Sequence, residues 1–410
     1  MGLGFLKFKY CLGRTSISLT RTKRKQLQSH DDDEVDDGHV RTAGAAKAIS
    51  TSTSSTKYST RGAIASGINS SSCSKDEDVM IRKFSWDEIE RLTMNMCRAR
   101  VIGSGGFSNV YLIDLGHQLG QAAVKIINGT RLFKQELDIL RHLHHHNIVN
   151  LIGYCDDRDD VGALVLEYVS NGSLQEKLHG EGQAVIPWKK RMAIAVQLAE
   201  ALQYLHHKCG STTLPIVHGD IKASNLLLDQ NLNLKLCDFG SAKMGFSSTV
   251  ADNRRPMVLM GSPGYTDPHY LKTGIPSKKN DVYSFGVLLL ELVTGMEAYS
   301  SERPPPTQLL TSLVGLVGPT ADHTSPILVD PDPRLVGDFD PEEARAMISL
   351  SAQCLRHPPT LRPSSTQILE TINNHISYIS VSDFVVFSHG RHPIPKCEKK
   401  PINPHSTPRL

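Results

Sequence analysis

The 410-residue sequence predicts an α+β chain, with a strand-rich part ahead of a helical part. Three observations carry that prediction. Apolar residues alternate from Val101 onward, the period of half-buried strands. Met192, Ala195, Val196, Ala199 and Leu202 recur at helical spacing behind Pro187, which opens a helix reaching about His206. Ser277 can cap a further helix running to about Val293. Its apolar residues lie on all sides, as expected of a helix buried within a core.

Composition bounds the rest. The length suffices for one large domain or two. A hydrophobic content of 39% with 21% charged residues fits a globular core carrying polar additions. A net charge of +3 is too mild to argue for a nucleic-acid partner. Eight cysteines show no paired spacing, as expected in a reducing compartment. The first apolar run is broken by Lys7 and Lys9, unlike a secretory signal. Val287–Leu290 lies within a stretch of only about a dozen apolar positions, a buried helix rather than a membrane span. The chain is therefore expected to be intracellular.

Residues 1–83 are expected to be disordered. They hold a basic segment (Arg21–Lys25), an acidic run (Asp31–Asp37) and a Ser/Thr/Gly/Ala-rich stretch to Ser74, too little apolar surface to offset the entropy of ordering. Gly2 raises the question of myristoylation, but Leu6 stands where the pattern wants Ser or Thr. Cys11, among Lys7, Lys9 and Arg14, is a candidate palmitoylation site. A single lipid anchors weakly, so a solvated tail competes with that reading. A Pro/His/Lys-rich tail over 377–410 is also expected to be loose.

The stretch with the most chemistry is His218–Gly240, HGDIKASNLLLDQNLNLKLCDFG. Leu226–Leu228 and Leu234–Leu236 read as short strands joined by the polar turn Asp229–Asn233. Such a hairpin projects Asp220, Asn225 and Asp238 from one end. A carboxylate able to accept a proton, beside an amide and a carboxylate able to hold a divalent cation, suits phosphoryl transfer. Upstream, Gly103-Ser-Gly-Gly-Phe-Ser-Asn-Val110 is a glycine-rich loop in which Gly103 and Gly105 let backbone N–H groups approach phosphate oxygens. Ala122-Ala-Val-Lys125 is an apolar strand with one charge, and the helix after it, Arg131–Leu143, carries Glu136 on the same face as Leu140.

These motifs, in this order over roughly residues 84–376, resemble the eukaryotic protein kinases. In detail they are similar to the plant receptor-like kinases of the Pelle/IRAK branch. The resemblance implies a bilobal fold, a small β-rich lobe and a large helical one, with a helical lead-in over 84–100 and the kinase domain over 101–376. It implies ATP and Mg2+ as cofactors. Lys125 would hold the α- and β-phosphates, with Glu136 as its partner. Val110 and Ala123 would roof the adenine, and Leu227 would lie beneath it. In the hinge Ala163–Val169, Leu166 would be the gatekeeper, and the backbone of Glu167 and Val169 would meet the adenine edge. Asp220 would be the general base, Lys222 would neutralise charge on the γ-phosphate, and Asn225 and Asp238 would hold the metal. Phe239 would join an apolar spine with Leu140, Leu151 and His218, and Asp281 would brace the catalytic loop. The form Asp-Ile-Lys-x-x-Asn is similar to serine/threonine kinases rather than tyrosine kinases.

Three positions depart from the family. Ser108 stands for a glycine, which puts a Cβ and a hydroxyl over the phosphates. Gly219 stands for the arginine that docks a phosphorylated activation loop, so little dependence on phosphorylation of Ser247, Ser248 or Thr249 is expected. His269 stands for the glutamate that pairs with a buried arginine, here Arg362; either another acid such as Asp267 replaces it or the large lobe is less stable. Ser262 takes the place of the threonine that contacts the catalytic aspartate and lysine. His142 and His144–His146 invite a metal reading, but no nearby cysteine or carboxylate completes a tetrahedral set, and the family has His-x-Asn-Ile-Val at this turn. Helices are also expected around 308–318, 341–355 and 364–376.

The chain therefore reads as a cytoplasmic serine/threonine kinase acting on protein substrates, downstream of receptor kinases, with weak membrane association through its basic N-terminus and Cys11 as the alternative to a solvated tail. A pseudokinase scaffold, resting on Ser108, Gly219 and His269, is the alternative. A small-molecule kinase is opposed by Gly261–Pro268, which resembles a platform for protein substrates.

Overall fold

The alternation that begins at Val101 becomes an antiparallel sheet with short additions at both edges. The computed structural model describes residues 10–12, 81–117, 119–207, 214–245, 261–305, 307–315 and 329–376. Most of the N-terminal region, the candidate sites Ser247, Ser248 and Thr249, and the tail from 377 lie outside the described residues. Seven strands form the sheet: β1 (Tyr10–Leu12), β2 (Arg82–Lys83), β3 (Val101–Gly105), β4 (Ser108–Asp114), β5 (Gln121–Asn128), β6 (Leu151–Cys155) and β7 (Val161–Glu167), in the order β1-β3-β4-β5-β7-β6-β2. β3 to β7 pair antiparallel; β1 and β2 add in parallel at opposite edges.

The period of two in β5 decides which way its one charge points. Ala122, Val124 and Ile126 face an outer cluster with Phe84, Trp86 and Ile89, the last two carried by helix α1 (Trp86–Leu92). Ser85 starts α1: its hydroxyl accepts the Glu88 N–H at 3.2 Å, while Glu88 accepts the Ser85 N–H at 3.1 Å. Ala123, Lys125 and Ile127 therefore face the other side. There α2 (Thr130–Leu140) packs Phe133, Leu137 and Leu140 into the main core, with Glu136 buried among them. This helix ends three residues before the expected Leu143.

The helical part is built on two buried helices. α3 (Leu174–His179) follows the hinge, and α4 (Trp188–His206) begins directly after Pro187. α5 (Pro268–Thr273) is short, and α6 (Lys278–Thr294) is buried along nearly its whole length. α7 (Thr311–Gly315), α8 (Pro341–Cys354) and α9 (Ser365–His375) follow near the expected positions. α6 packs on α8 and α4, and α4 packs on α9. Arg191 of α4, with no solvent exposure, is tolerated because Ile186 O, Leu292 O and Asp332 Oδ2 accept from it at 2.8, 2.9 and 2.6 Å.

β8 (Ile216–Val217), β9 (Leu226–Leu228), β10 (Leu234–Leu236) and β11 (Lys243–Met244) make two small ladders, β8 with β11 and β9 with β10. Asp229 shapes the β9–β10 turn by accepting the N–H groups of Asn231 and Asn233, both at 2.8 Å. Cys155, Cys237 and Cys354 are free and buried. No described helix is long and apolar enough to cross a membrane.

Candidate active site

The β9–β10 hairpin delivers its three polar groups to one end, and the segment before it is held from below. Asp281, buried near the start of α6, accepts the N–H groups of His218 and Gly219, both at 2.9 Å. His206, the last residue of α4, places its Nε2 2.9 Å from the same carboxylate. The expected brace is thus present, with a histidine that sequence reading did not assign.

Around Asp220 the contacts form a closed set. Ser262 Oγ donates to Asp220 Oδ1 at 2.8 Å, and Lys222 Nζ lies 2.8 Å from Oδ2 and 3.0 Å from Ser262 Oγ. Asn225 Nδ2 donates to the Asp220 carbonyl at 2.8 Å. That fixes the amide and leaves Asn225 Oδ1, which is buried, without a hydrogen-bond partner among the described residues. A buried acceptor left unmatched is costly, and a hard divalent cation is the partner that such an oxygen suits. The residues present therefore fit a bound metal.

On the sheet side, Lys125 Nζ contacts Glu136 Oε1 at 2.7 Å, Glu136 Oε2 at 2.8 Å and Asp238 Oδ1 at 2.8 Å. Burial alone would pull the Lys125 ammonium down, but the Asp238 and Glu136 carboxylates outweigh it and its pKa is raised. Asp238 sits at φ +64°, ψ +72°, a left-handed conformation uncommon outside glycine. Phe239 beyond it is fully buried, its ring edge-on to His218 at 4.8 Å, with Leu140 and Leu151 in the same core. Gln135 of α2 donates to Gly240 O at 3.0 Å and Ala242 O at 3.3 Å, a support the sequence reading missed.

Two small apolar clusters stand apart from the main core. Val110 and Ala123 gather with Ile102 in one; Leu227, Val169, Val149 and Cys237 gather in the other with Leu166. The Glu167 carboxylate is engaged by Lys235 at 2.8 Å and by the Asn150 N–H at 3.1 Å, and the Glu167 N–H donates to Asn150 O at 3.0 Å. A cleft is lined by Gly106, Ser108, Lys125, Glu136, Asp238 and Gly240. Gly103 and Gly105 lie in β3, between β1 and β4, with Gly103 opposite Val110.

The structure resolves two of the three departures. Gly219 has φ +79°, and a Cβ there would lie 3.2 Å from Ser241 O, so the site now favours glycine. Arg362 is paired, but with Asp267: Nη1 to Oδ2 is 2.5 Å and Nη2 to Oδ1 is 2.9 Å. His269 instead places its ring 5.9 Å from His357. In the histidine run, His145 Nδ1 accepts the Asn147 N–H at 3.1 Å, and burial, with smaller help from His146 and Lys235, lowers its pKa to about 4.

Sequence reading also missed the use of Tyr265 and Glu291. The available signal was Glu291, a carboxylate within the otherwise apolar run Val287–Val293.

An amide oxygen that suits a cation, a lysine braced on a sheet and a buried carboxylate beside a lysine and a hydroxyl suit phosphoryl transfer. Residues 96–372 match the protein kinase domain, and the chain belongs to the protein kinase family. It is 46% identical over 315 residues to a probable receptor-like protein kinase of Arabidopsis thaliana, a match covering 72% of this chain and 89% of that one. It is 45% identical over 320 residues to the salt tolerance receptor-like cytoplasmic kinase 1 of Oryza sativa subsp. japonica, covering 75% and 84%. A probable LRR receptor-like serine/threonine-protein kinase of Arabidopsis thaliana is 36% identical over 302 residues, 72% of this chain but 33% of that longer protein.

Proposed function

We propose that this kinase transfers the γ-phosphate of ATP to serine and threonine hydroxyls of protein substrates in intracellular signalling. The catalytic domain spans 101–376, with 84–100 as its lead-in. The observation that carries the reading is the closed Asp220–Lys222–Ser262 set, which leaves a carboxylate, an ammonium and a hydroxyl within 3.0 Å of one another.

In this reading Asp220 accepts the proton of the attacking hydroxyl, and Lys222 steadies charge on the γ-phosphate. Lys125, oriented by Glu136, holds the α- and β-phosphates, a positioning role rather than a stabilising one. Gly103 and Gly105 bring backbone N–H groups to the phosphates. Val110 and Ala123 cover the adenine, Leu227 supports it, and the main chain of Glu167 and Val169 meets its edge. Asn225 and Asp238 would hold magnesium, which when bound neutralises phosphate charge. Ser108, Gly219 and His269 remove none of these groups.

Purified protein given Mg-ATP should phosphorylate serine peptides, lose that activity with a chelator, and keep most of it after phosphatase treatment, because Gly219 supplies no guanidinium to a loop phosphate. Nucleotide binding without transfer would instead support a scaffold, and full inactivation by phosphatase would refute the part assigned to Gly219. Similarity to a receptor-like cytoplasmic kinase supports a cytoplasmic site of action with upstream receptor kinases as partners. Weak attachment to the plasma membrane through the basic N-terminus and Cys11 belongs to the same proposal. Cys11→Ser protein should then leave the membrane fraction; unchanged fractionation would remove that part.

A further inference from the structure

Glu291 lies in α6, the most apolar helix, with no solvent exposure. A carboxylate in such a place must be matched by donors. Ala298 N–H donates to Oε1 at 2.9 Å, Tyr265 Oη–H donates to Oε2 at 2.7 Å, and His179 Nε2 lies 3.2 Å from Oε1. Each donor comes from a different segment: the loop after α6, the segment that carries Ser262, and the last turn of α3.

Tyr265 leads from this carboxylate to the reacting groups. Its phenol oxygen accepts the Ala223 N–H at 3.4 Å, and its carbonyl accepts from Ser284 Oγ at 2.8 Å. Ala223 directly follows Lys222. Ser262, which touches both Asp220 and Lys222, accepts at its carbonyl from the Tyr265 N–H at 3.1 Å. Glu291 thus holds the phenol that joins the catalytic loop to the Ser262 segment. Of its three donors, Ala298 is backbone and Tyr265 is the group being held. His179 is the remaining side chain, nearly buried at 6% exposure, and it belongs to a helix that starts just beyond the hinge.

We propose that His179 is a positioning residue for phosphoryl transfer: by donating to Glu291 it keeps that carboxylate aimed at the Tyr265 phenol, and so keeps Ser262 and the Lys222–Asn225 segment in register for the acceptor hydroxyl. The inference rests on the phosphotransfer reading above. Without the ring, Oε1 retains only the Ala298 N–H, the carboxylate is free to turn, and the phenol loses its fixed acceptor.

The test uses the full chain, Mg-ATP, and myelin basic protein as acceptor, with rates expressed per ATP-binding-competent molecule so that misfolded protein does not count. His179→Leu and Tyr265→Phe should each lower kcat about tenfold, the effect of one charge-assisted hydrogen bond, with the KM for ATP unchanged. The double variant should be no slower than the worse single one, because both act through one carboxylate. His179→Gln, which keeps an N–H donor, should recover most of the rate. Wild-type kcat in His179→Leu, a multiplicative loss in the double variant, or a glutamine variant as slow as leucine would each overturn the proposal. Should His179→Leu not fold, the same cycle run with His179→Gln and Tyr265→Phe decides: parity of His179→Gln with wild type supports the donor role, and a loss independent of Tyr265 overturns it. Absence of transfer by the wild-type protein itself would instead bring down the phosphotransfer reading, and this inference with it.

Discussion

Asp220→Asn is expected to lower the rate of phosphoryl transfer by about 10²–10⁴-fold, the usual contribution of a positioned general base. The amide matches the carboxylate in shape and retains an oxygen for Lys222 or Ser262, which now lie 2.8 Å from the two carboxylate oxygens. The set should therefore stay assembled, and only the proton acceptor is lost. Lys125, Glu136 and Asp238 are untouched, so Mg-ATP affinity should change little. Calorimetry of Mg-ATP binding beside the autophosphorylation rate separates the two effects. A rate close to wild type would place the base elsewhere, and loss of nucleotide binding would mean that the substitution disturbs the cleft as a whole.

Asp267→Ala should be the most destabilising change in the helical part. Asp267 and Arg362 are both buried, at 2% and 3% exposure, so removing the carboxylate strands a guanidinium in a dry site. Breaking such a pair from one side costs about 3–5 kcal/mol. Lys279 O and Arg356 O, each accepting from Arg362 at 2.8 Å, and the Tyr283 ring 5.1 Å away would soften the loss without supplying a charge. Asp267 also caps α5 by accepting the His269 N–H at 2.9 Å, so alanine removes a helix cap worth about 1 kcal/mol as well. A fall in melting temperature on the order of 10 °C follows for a domain of this size. Asp267→Asn keeps a capping acceptor and loses only the charge, so it should fall between wild type and alanine. Equal melting temperatures for wild type and Asp267→Ala would show that the guanidinium does not depend on this carboxylate.

The same pair shows where reading residues in order reaches its limit. Arg362 needed an acid, and two positions near the end of the Gly261–His269 segment were in question. Burial and side-chain direction select Asp267 and send His269 toward His357. Lys125 is the opposite case. Strict alternation along Ala122–Ile127 already places it across the strand from Val124, so its facing was legible. Its second partner was not a local matter, because Asp238 lies 113 residues away along the chain. Glu291 was legible as an oddity, a charge in an apolar helix, yet its donors His179 and Tyr265 stand 112 and 26 residues away.

Strand alternation, the apolar faces of α4 and α6, the Ser85 cap and the Asp229 turn are all written within a few neighbouring residues, because backbone periodicity and capping are short-range. The spacing of Asp220, Asn225 and Asp238 around one hairpin belongs with them. Which acid neutralises Arg362, which donors satisfy Glu291, and which oxygen of Asn225 is left without a hydrogen-bond partner were decided only in three dimensions. Each of those outcomes depends on the desolvation of a polar group by segments distant in sequence, and that penalty exists only once the segments have come together.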